Sequence, residues 1–302
     1  MTVKLRTVGI VILLLFASGA AGAALFVYSG MYNIAATAQH TKPVYQLLDY
    51  AMRRSVKTRA DSLAVPDLAG QQRIRSGAGH YRKHCLQCHG APGVAPDGLA
   101  FGMTPAPANL VSTAREWKAA DIFWVVRHGI KMSGMPAWEY KLSDEEIWDI
   151  VAFVRYMPTL SPKEYAAFSR ELPDQPGSRP PPVPAGGAIA AAPSPAPASV
   201  PASAPAVGDA KAGRRALNQY LCATCHAIPG IVGANRHVGP PLNGIAHRRY
   251  IAGVLINNPE NMVRWLKDPQ RIDPLSAMPA LGITDKDARD IAAYLYTLDD
   301  VE

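Results

Sequence analysis

Cys85-Leu86-Gln87-Cys88-His89 and Cys222-Ala223-Thr224-Cys225-His226 between them contain all four cysteines of this 302-residue chain. Cys-x-x-Cys-His is the attachment pattern of c-type haem. Two thiols three positions apart each form a thioether to one haem vinyl group, and the adjacent histidine presents a ring nitrogen to the iron. Two matches with no cysteine left over predict two covalent haem c groups, held by Cys85 and Cys88 and by Cys222 and Cys225. His89 and His226 are the predicted proximal iron ligands. Other uses of paired cysteines fit less well. A structural zinc site needs four soft ligands brought together, and here the two pairs are separated by a long Pro/Ala tract. A thioredoxin-like pair expects a βαβ setting, yet no strand-like run flanks either motif. A disulfide inside Cys-x-x-Cys is strained and labile.

The other face of each iron decides between electron transfer and catalysis, because His/Met ligation fills both axial positions and raises the potential. Gly134-Met135-Pro136 lies 46 residues after His89, and Ala277-Met278-Pro279 lies 52 residues after His226. Proline after the methionine keeps that methionine out of a helix, so extended chain presents the thioether. Met135 and Met278 are therefore the predicted distal ligands. Methionine is also a common core filler. Met132 is a rival in the first half and His128 a weaker one, while Met262 reads as core and Met103 has no assigned role. Ligating histidines need a partner on the second ring nitrogen. Gly239-Pro240-Pro241-Leu242 offers a proline carbonyl, and Thr104-Pro105-Ala106-Pro107-Ala108-Asn109-Leu110 is its counterpart.

Both halves resemble class I cytochrome c domains in their order: a helix running into Cys-x-x-Cys-His, a proline loop, a middle helix, a Met-Pro loop and a final helix. The second half also resembles the cytochrome domain fused to subunit II of some bacterial haem-copper oxidases, on Gly239-Pro240-Pro241-Leu242, Asn257-Asn258-Pro259-Glu260-Asn261 and Trp265-Leu266-Lys267-Asp268-Pro269. The first is closer to bacterial cytochromes with a Gly-Met-Pro loop followed by Ser-Asp-Glu-Glu-Ile-Trp. The resemblance implies an all-α fold, with two class I cytochrome c domains after an N-terminal transmembrane helix, joined by a Pro/Ala-rich linker.

Thr7 to Tyr28 carries no charge. As a helix its 22 residues span ~33 Å, enough to cross a bilayer. It is longer than the ~7–15-residue core of a signal peptide, which favours a retained anchor, although Ala21-Gly22-Ala23 would serve as a cleavage site. The basic residues around it do not settle orientation. Because covalent haem attachment normally takes place outside the cytoplasm, the resemblance implies a single-pass protein of a bacterial inner membrane with its haem domains in the periplasm.

The net charge of +7 is uneven: +4 over 1–69, +2 over 70–160, zero over 161–207 and +1 over 208–302. Neither haem domain has a basic run interleaved with aromatics, so no nucleic-acid partner is expected. The basic stretch Val44–Arg59 reads either as a surface for anionic lipid or a partner or as a solvated helix face.

The expected domains are an anchor (or uncleaved signal) at 1–28, a juxtamembrane helical connector at 29–69, cytochrome c domain 1 at 70–165, a Pro/Ala-rich linker at 166–207 and cytochrome c domain 2 at 208–302. Val44, Leu47, Leu48 and Met52 recur at helical spacing in the connector. Ile74, Ala78 and Tyr81 form a stripe before the first motif, with Gly77 and Gly79 permitting close approach. Ser143 and Glu146 form a capping box ahead of Ile147, Val151 and Val154. Asp121 caps the middle helix. In the second half Asn258-Pro259 reads as a helix start, Thr284 and Asp287 open the last helix, and Ile291, Tyr294, Leu295 and Leu298 share a face. Trp265 packs on the haem or in the core. Segment 171–205 has 11 prolines in 35 residues and predicts an extended tether that leaves the two domains without a fixed mutual orientation.

The chain is thus expected to be a membrane-tethered dihaem cytochrome c carrying single electrons. No catalytic residue and no small-molecule substrate are expected. Its redox partners would be a dehydrogenase or bc-type complex on one side and a terminal oxidase on the other. The alternatives are a cytochrome subunit of a membrane dehydrogenase complex, and a dihaem peroxidase-type enzyme.

Overall fold

The computed structural model describes residues 4–172 and 208–298, and most of the expected linker lies outside them. Residues 1–39 form one unit and residues 40–302 another. In the first unit a helix, α1, runs Leu5–Tyr28 with no buried residue. At 1.5 Å per residue its 24 residues reach ~36 Å, long enough for a bilayer and equally compatible with a signal sequence.

The second unit contains both haem motifs. It begins with α2 (Lys42–Ala60) and α3 (Gln71–His84), which leads into a single turn, α4 (Leu86–His89). There follow α5 (Leu110–Glu116), α6 (Ala119–His128), α7 (Asp144–Tyr156) and α8 (Pro162–Arg170). After the undescribed stretch come α9 (Ala210–Gln219), α10 (Pro259–Lys267), α11 (Pro269–Ile272) and α12 (Asp285–Leu295). A short antiparallel hairpin, β1 (Tyr250–Ile251) with β2 (Leu255–Ile256), precedes α10. Its three-residue loop, Ala252 to Val254, places Ala252 and Gly253 at φ +50° and +78°.

Each half is built on one helix crossing. α3 meets α7 so closely that a Cβ on Gly77 would lie 1.8 Å from the Asp149 carbonyl oxygen. α9 meets α12 the same way: a Cβ on Gly213 would lie 1.9 Å from the Asp290 carbonyl oxygen. No side chain fits at either crossing, so glycine sets how near the axes come. The expected stripes fill the cores around these points. Ile74, Ala78 and Tyr81 pack with Ile147, Val151 and Val154 in the first half. Ala216, Leu217 and Tyr220 pack with Ile291, Leu295 and Leu298 in the second, together with Met262 and Trp265.

The helix starts are those the sequence indicates except at α6, where the N-cap is Lys118 and Asp121 is the third helical residue, reaching back to it. Ser143 Oγ accepts from the Glu146 N–H, and the Glu146 carboxylate accepts from the Ser143 N–H at 2.8 Å. Asp121 accepts from the Lys118 N–H at 3.2 Å, Asn258 from the Asn261 N–H at 2.8 Å, and Thr284 from the Asp287 N–H at 3.1 Å. A further capping box, Ser161 with Glu164, starts α8. That helix straddles the boundary expected at residue 165, and Tyr165 and Leu172 are buried in the first core.

One expectation needs correction, and the connector shows which of its faces is packed. The connector is helical, but Leu47 and Leu48 are 67% and 52% exposed. It is Val56 and Ala60 that are buried, because α2 packs on α6 through its C-terminal half. There the Arg53 guanidinium lies over the Trp117 ring at 5.2 Å. The two haem domains also touch. Gln270 Nε2 donates to the Gly93 carbonyl at 3.1 Å, and the Phe101 and Tyr220 rings meet edge-on with centroids 5.9 Å apart. Linker composition carries no information about surface complementarity, so these contacts could not be foreseen.

Candidate haem sites

In both halves the helix that delivers the motif is tied down by a tyrosine from its own last turns. Tyr81 is buried and its hydroxyl donates to the Gly90 carbonyl at 2.6 Å. Tyr220 donates to the Asp287 carboxylate at 2.7 Å, joining the second motif to the start of α12. Cys85 and Cys222 are buried, and Cys88 and Cys225 are half-buried. Burial pushes the Cys85 and Cys222 thiols up to about 12 and raises those of Cys88 and Cys225. Thiol redox motifs work by the opposite shift, a depressed thiol pKa.

The histidines are held identically. His89 Nδ1–H donates to the Ala108 carbonyl at 2.7 Å, and His226 Nδ1–H donates to the Pro240 carbonyl at 2.7 Å. The two acceptors belong to the proline loops that the sequence indicated. With Nδ1 occupied as a donor, Nε2 carries the lone pair and is the nitrogen left for a metal. Desolvation lowers both histidine pKa values, which favours the neutral ring a metal requires. Gly239 lies flat against the second ring: a Cβ there would be 2.3 Å from His226 Cε1 and 2.9 Å from Nε2.

Met135 and Met278 are half-buried and pack against the cores that contain Cys85 and Cys222 respectively. Their loops share a device that the sequence reading missed. Ser133 Oγ accepts from the Met135 N–H at 3.2 Å, and Ser276 Oγ accepts from the Met278 N–H at 3.2 Å. The signal was available as a repeated Ser-x-Met-Pro. Gly129, at φ +67°, lets the chain pass under the first loop, since a Cβ there would be 2.7 Å from the Met135 carbonyl oxygen. Also unforeseen, the rings of His84 and Trp138 meet at 5.0 Å, joining the residue before Cys85 to the Met-Pro loop. The Met103 sulfur would be 3.0 Å from a Cβ on Gly134.

Met132 is 93% exposed with φ +59°. His128 ends α6 against Trp124, 3.5 Å from the Glu139 carboxylate. Met262 is in the second core, as expected. Among the described residues no three His, Cys, Asp or Glu side chains gather as a metal site. The repeated set of two thiols, an oriented imidazole and a loop-held thioether fits c-type haem, in which the porphyrin supplies the remaining iron ligands.

Comparison with known proteins gives the same answer for each half. Residues 72–154 match the family model described as cytochrome c oxidase, cbb3-type, subunit III, and residues 210–299 match the one described as cytochrome c. Cytochrome c oxidase subunit 2 of Alkalihalophilus pseudofirmus is 36% identical over 90 residues, covering 30% of this chain and 25% of that protein. The protein of the same description from Bacillus sp. strain PS3 is 33% identical over 93 residues, covering 30% and 26%. The chain therefore spans about a quarter of the length of the curated relatives it matches. No solved structure matches. Each half thus carries a cytochrome c-type domain, which implies covalently bound haem c, and the second resembles the oxidase cytochrome domain.

Proposed function

We propose that this protein is a membrane-tethered, periplasmic dihaem electron carrier in which His89 with Met135 and His226 with Met278 are the axial iron ligands, and Cys85, Cys88, Cys222 and Cys225 are the thioether attachments. The observation that carries this reading is the repetition, in two halves with different loops, of a histidine held by a loop carbonyl at 2.7 Å and a methionine held by a serine two residues earlier at 3.2 Å.

Haem c, when bound, supplies a one-electron Fe(III)/Fe(II) couple. The chain's residues hold that couple still. The loop carbonyls would fix the imidazole rings, while the thioethers of the Met-Pro loops and the exclusion of water by the two apolar cores would raise the potential. With His89 and Met135 holding one iron and His226 and Met278 the other, no coordination position would remain for a substrate, and the protein would carry electrons without bond chemistry. The apolar helix α1 acts as the anchor. One of the two matched families and both relatives are described as cytochrome c oxidase subunits, which favours a terminal oxidase as the acceptor. The donor is a dehydrogenase or a bc-type complex.

Carbon monoxide added to the reduced, full-length protein tests this. No change in the native spectrum is expected. Strong binding at either haem would mean an open position, and the carrier reading would give way to a peroxidase-type enzyme.

A further inference from the structure

α5 belongs to the first haem domain and is flanked by residues that touch the second, Asn109 at its start and Glu116 at its end. At its N-terminus, Asn109 Oδ1 accepts from the backbone N–H groups of Val111 at 3.0 Å and Ser112 at 3.4 Å. Those bonds fix which way the amide faces. Its nitrogen is left to donate across the interface to Cys225 Sγ at 3.2 Å. The Cys225 sulfur stands here for the thioether sulfur of the second haem attachment. On its other side Asn109 is peptide-bonded to Ala108, whose carbonyl accepts the His89 Nδ1–H at 2.7 Å. From the imidazole of the first site to the attachment sulfur of the second there are two hydrogen bonds joined by one residue's covalent frame, with no gap wider than 3.2 Å.

At the other end of α5, Glu116 pairs with Arg236 of the second domain at 2.5 Å and faces Arg53 of α2 at 3.8 Å. A serine hydroxyl and the two guanidiniums hold the Glu116 carboxyl below its ordinary pKa, against partial burial. Partly exposed ion pairs contribute ~0–1 kcal/mol each. The docking therefore depends on several small contacts acting together, with Gln270 on Gly93 and Phe101 on Tyr220 completing the set.

We propose that Asn109 is the coupling residue through which the two haem sites exchange an electron inside one chain. The proposal rests on both motifs holding haem, as in the carrier reading above. One electron moves: iron at the giving site goes from Fe(II) to Fe(III) and iron at the receiving site from Fe(III) to Fe(II). No bond forms or breaks and no proton moves. A reduced one-electron carrier supplies the electron and an oxidised one removes it.

The test is pulse radiolysis of the full-length, haem-loaded protein in detergent, with viologen radical delivered below one electron per chain. Absorbance then follows redistribution between the two sites. The expected result is a first-order phase whose rate is independent of protein concentration. It should slow several-fold in Asn109→Asp and in Asn109→Ser, both of which keep a capping oxygen for α5 but remove the amide donor. Arg236→Ala, which leaves both pockets intact, should slow the same phase. Haem content and both midpoint potentials are measured on every variant, and rates are compared at matched driving force. An unchanged rate in both Asn109 variants, or a wild-type rate that rises with protein concentration, overturns the proposal. A static spectrum showing fewer than two haems, or lacking the methionine–iron band, overturns the carrier reading itself before any pulse is given.

Discussion

Replacing Gly239 with alanine strikes the second haem site alone, and the structure sets the size of the effect. The new methyl carbon would lie 2.3 Å from His226 Cε1 and 2.8 Å from Nδ1. Ordinary contact begins at 3.4 Å, so the ring must retreat by about 1.1 Å. That is a large displacement against a 2.7 Å hydrogen bond from Nδ1 to Pro240. Losing the partner that orients a metal-bound histidine costs ~10–100-fold in metal affinity, about 1.4–2.8 kcal/mol. The haem is tethered by Cys222 and Cys225, so the loss appears as easier displacement of the histidine by acid. Protons compete with iron for Nε2, and a tenfold weaker iron bond raises the midpoint of that displacement by one pH unit. The acid transition of the second site should therefore move up by ~1–2 pH units, read by magnetic circular dichroism as loss of the low-spin signal. The His89 site serves as internal control and should not move. Gly98→Ala, which meets nothing within 4 Å, is the neutral substitution. An unmoved second transition in Gly239→Ala would show that His226 is not the ligand held there, and the reasoning would fail.

Met135→Ala and Met278→Ala should each lower the potential of one haem and abolish its methionine–iron band, whereas Met132→Ala, at a 93% exposed position, should change neither; redox titration with visible spectra separates these outcomes. Gly77→Ala and Gly213→Ala each drive a methyl group into a backbone carbonyl, so each should destabilise its own domain by at least the ~1–3 kcal/mol typical of overpacking, measured by denaturant unfolding. Ser143→Ala removes the cap of α7 and should cost about 1 kcal/mol at neutral pH. The Glu146 carboxyl is held low by the Ser143 N–H, which alanine keeps, and by the Ser143 hydroxyl donating at 2.8 Å, which alanine loses; a depressed folded pKa means stability that is present above the ordinary carboxylate range and lost as pH falls through the folded value. The gap between wild type and Ser143→Ala should therefore shrink in acid, and a gap that widens there would contradict the capping assignment.

The local features were the legible ones. Cys-x-x-Cys-His, Met-Pro and the capping pairs Ser143/Glu146 and Asn258/Pro259 fit within a few residues, and each specifies its own geometry. The core stripes on α3, α7 and α12 follow from helical period alone. Gly213 was not read as a crossing point, because its meaning depends on a carbonyl 77 residues away at Asp290. The serines of the Met loops were legible in principle, as the same residue two places before each methionine. In the connector Leu47 and Leu48 gave helical spacing but did not choose a docking face, and what fixes α2 is Arg53, Val56 and Ala60 against the first domain. Asn109 reads as a helix cap, and nothing in its neighbourhood announces a bond to a cysteine 116 positions later.

The most direct test of the central claim is a pyridine haemochrome assay set against protein concentration for the purified full-length chain, with the mass of the same sample as a check. Two covalently attached haems per chain are predicted, falling to one when Cys85 and Cys88 are replaced by serine and to one when Cys222 and Cys225 are. A wild-type value of one or none, or haem that extracts into acidified organic solvent, would contradict the account.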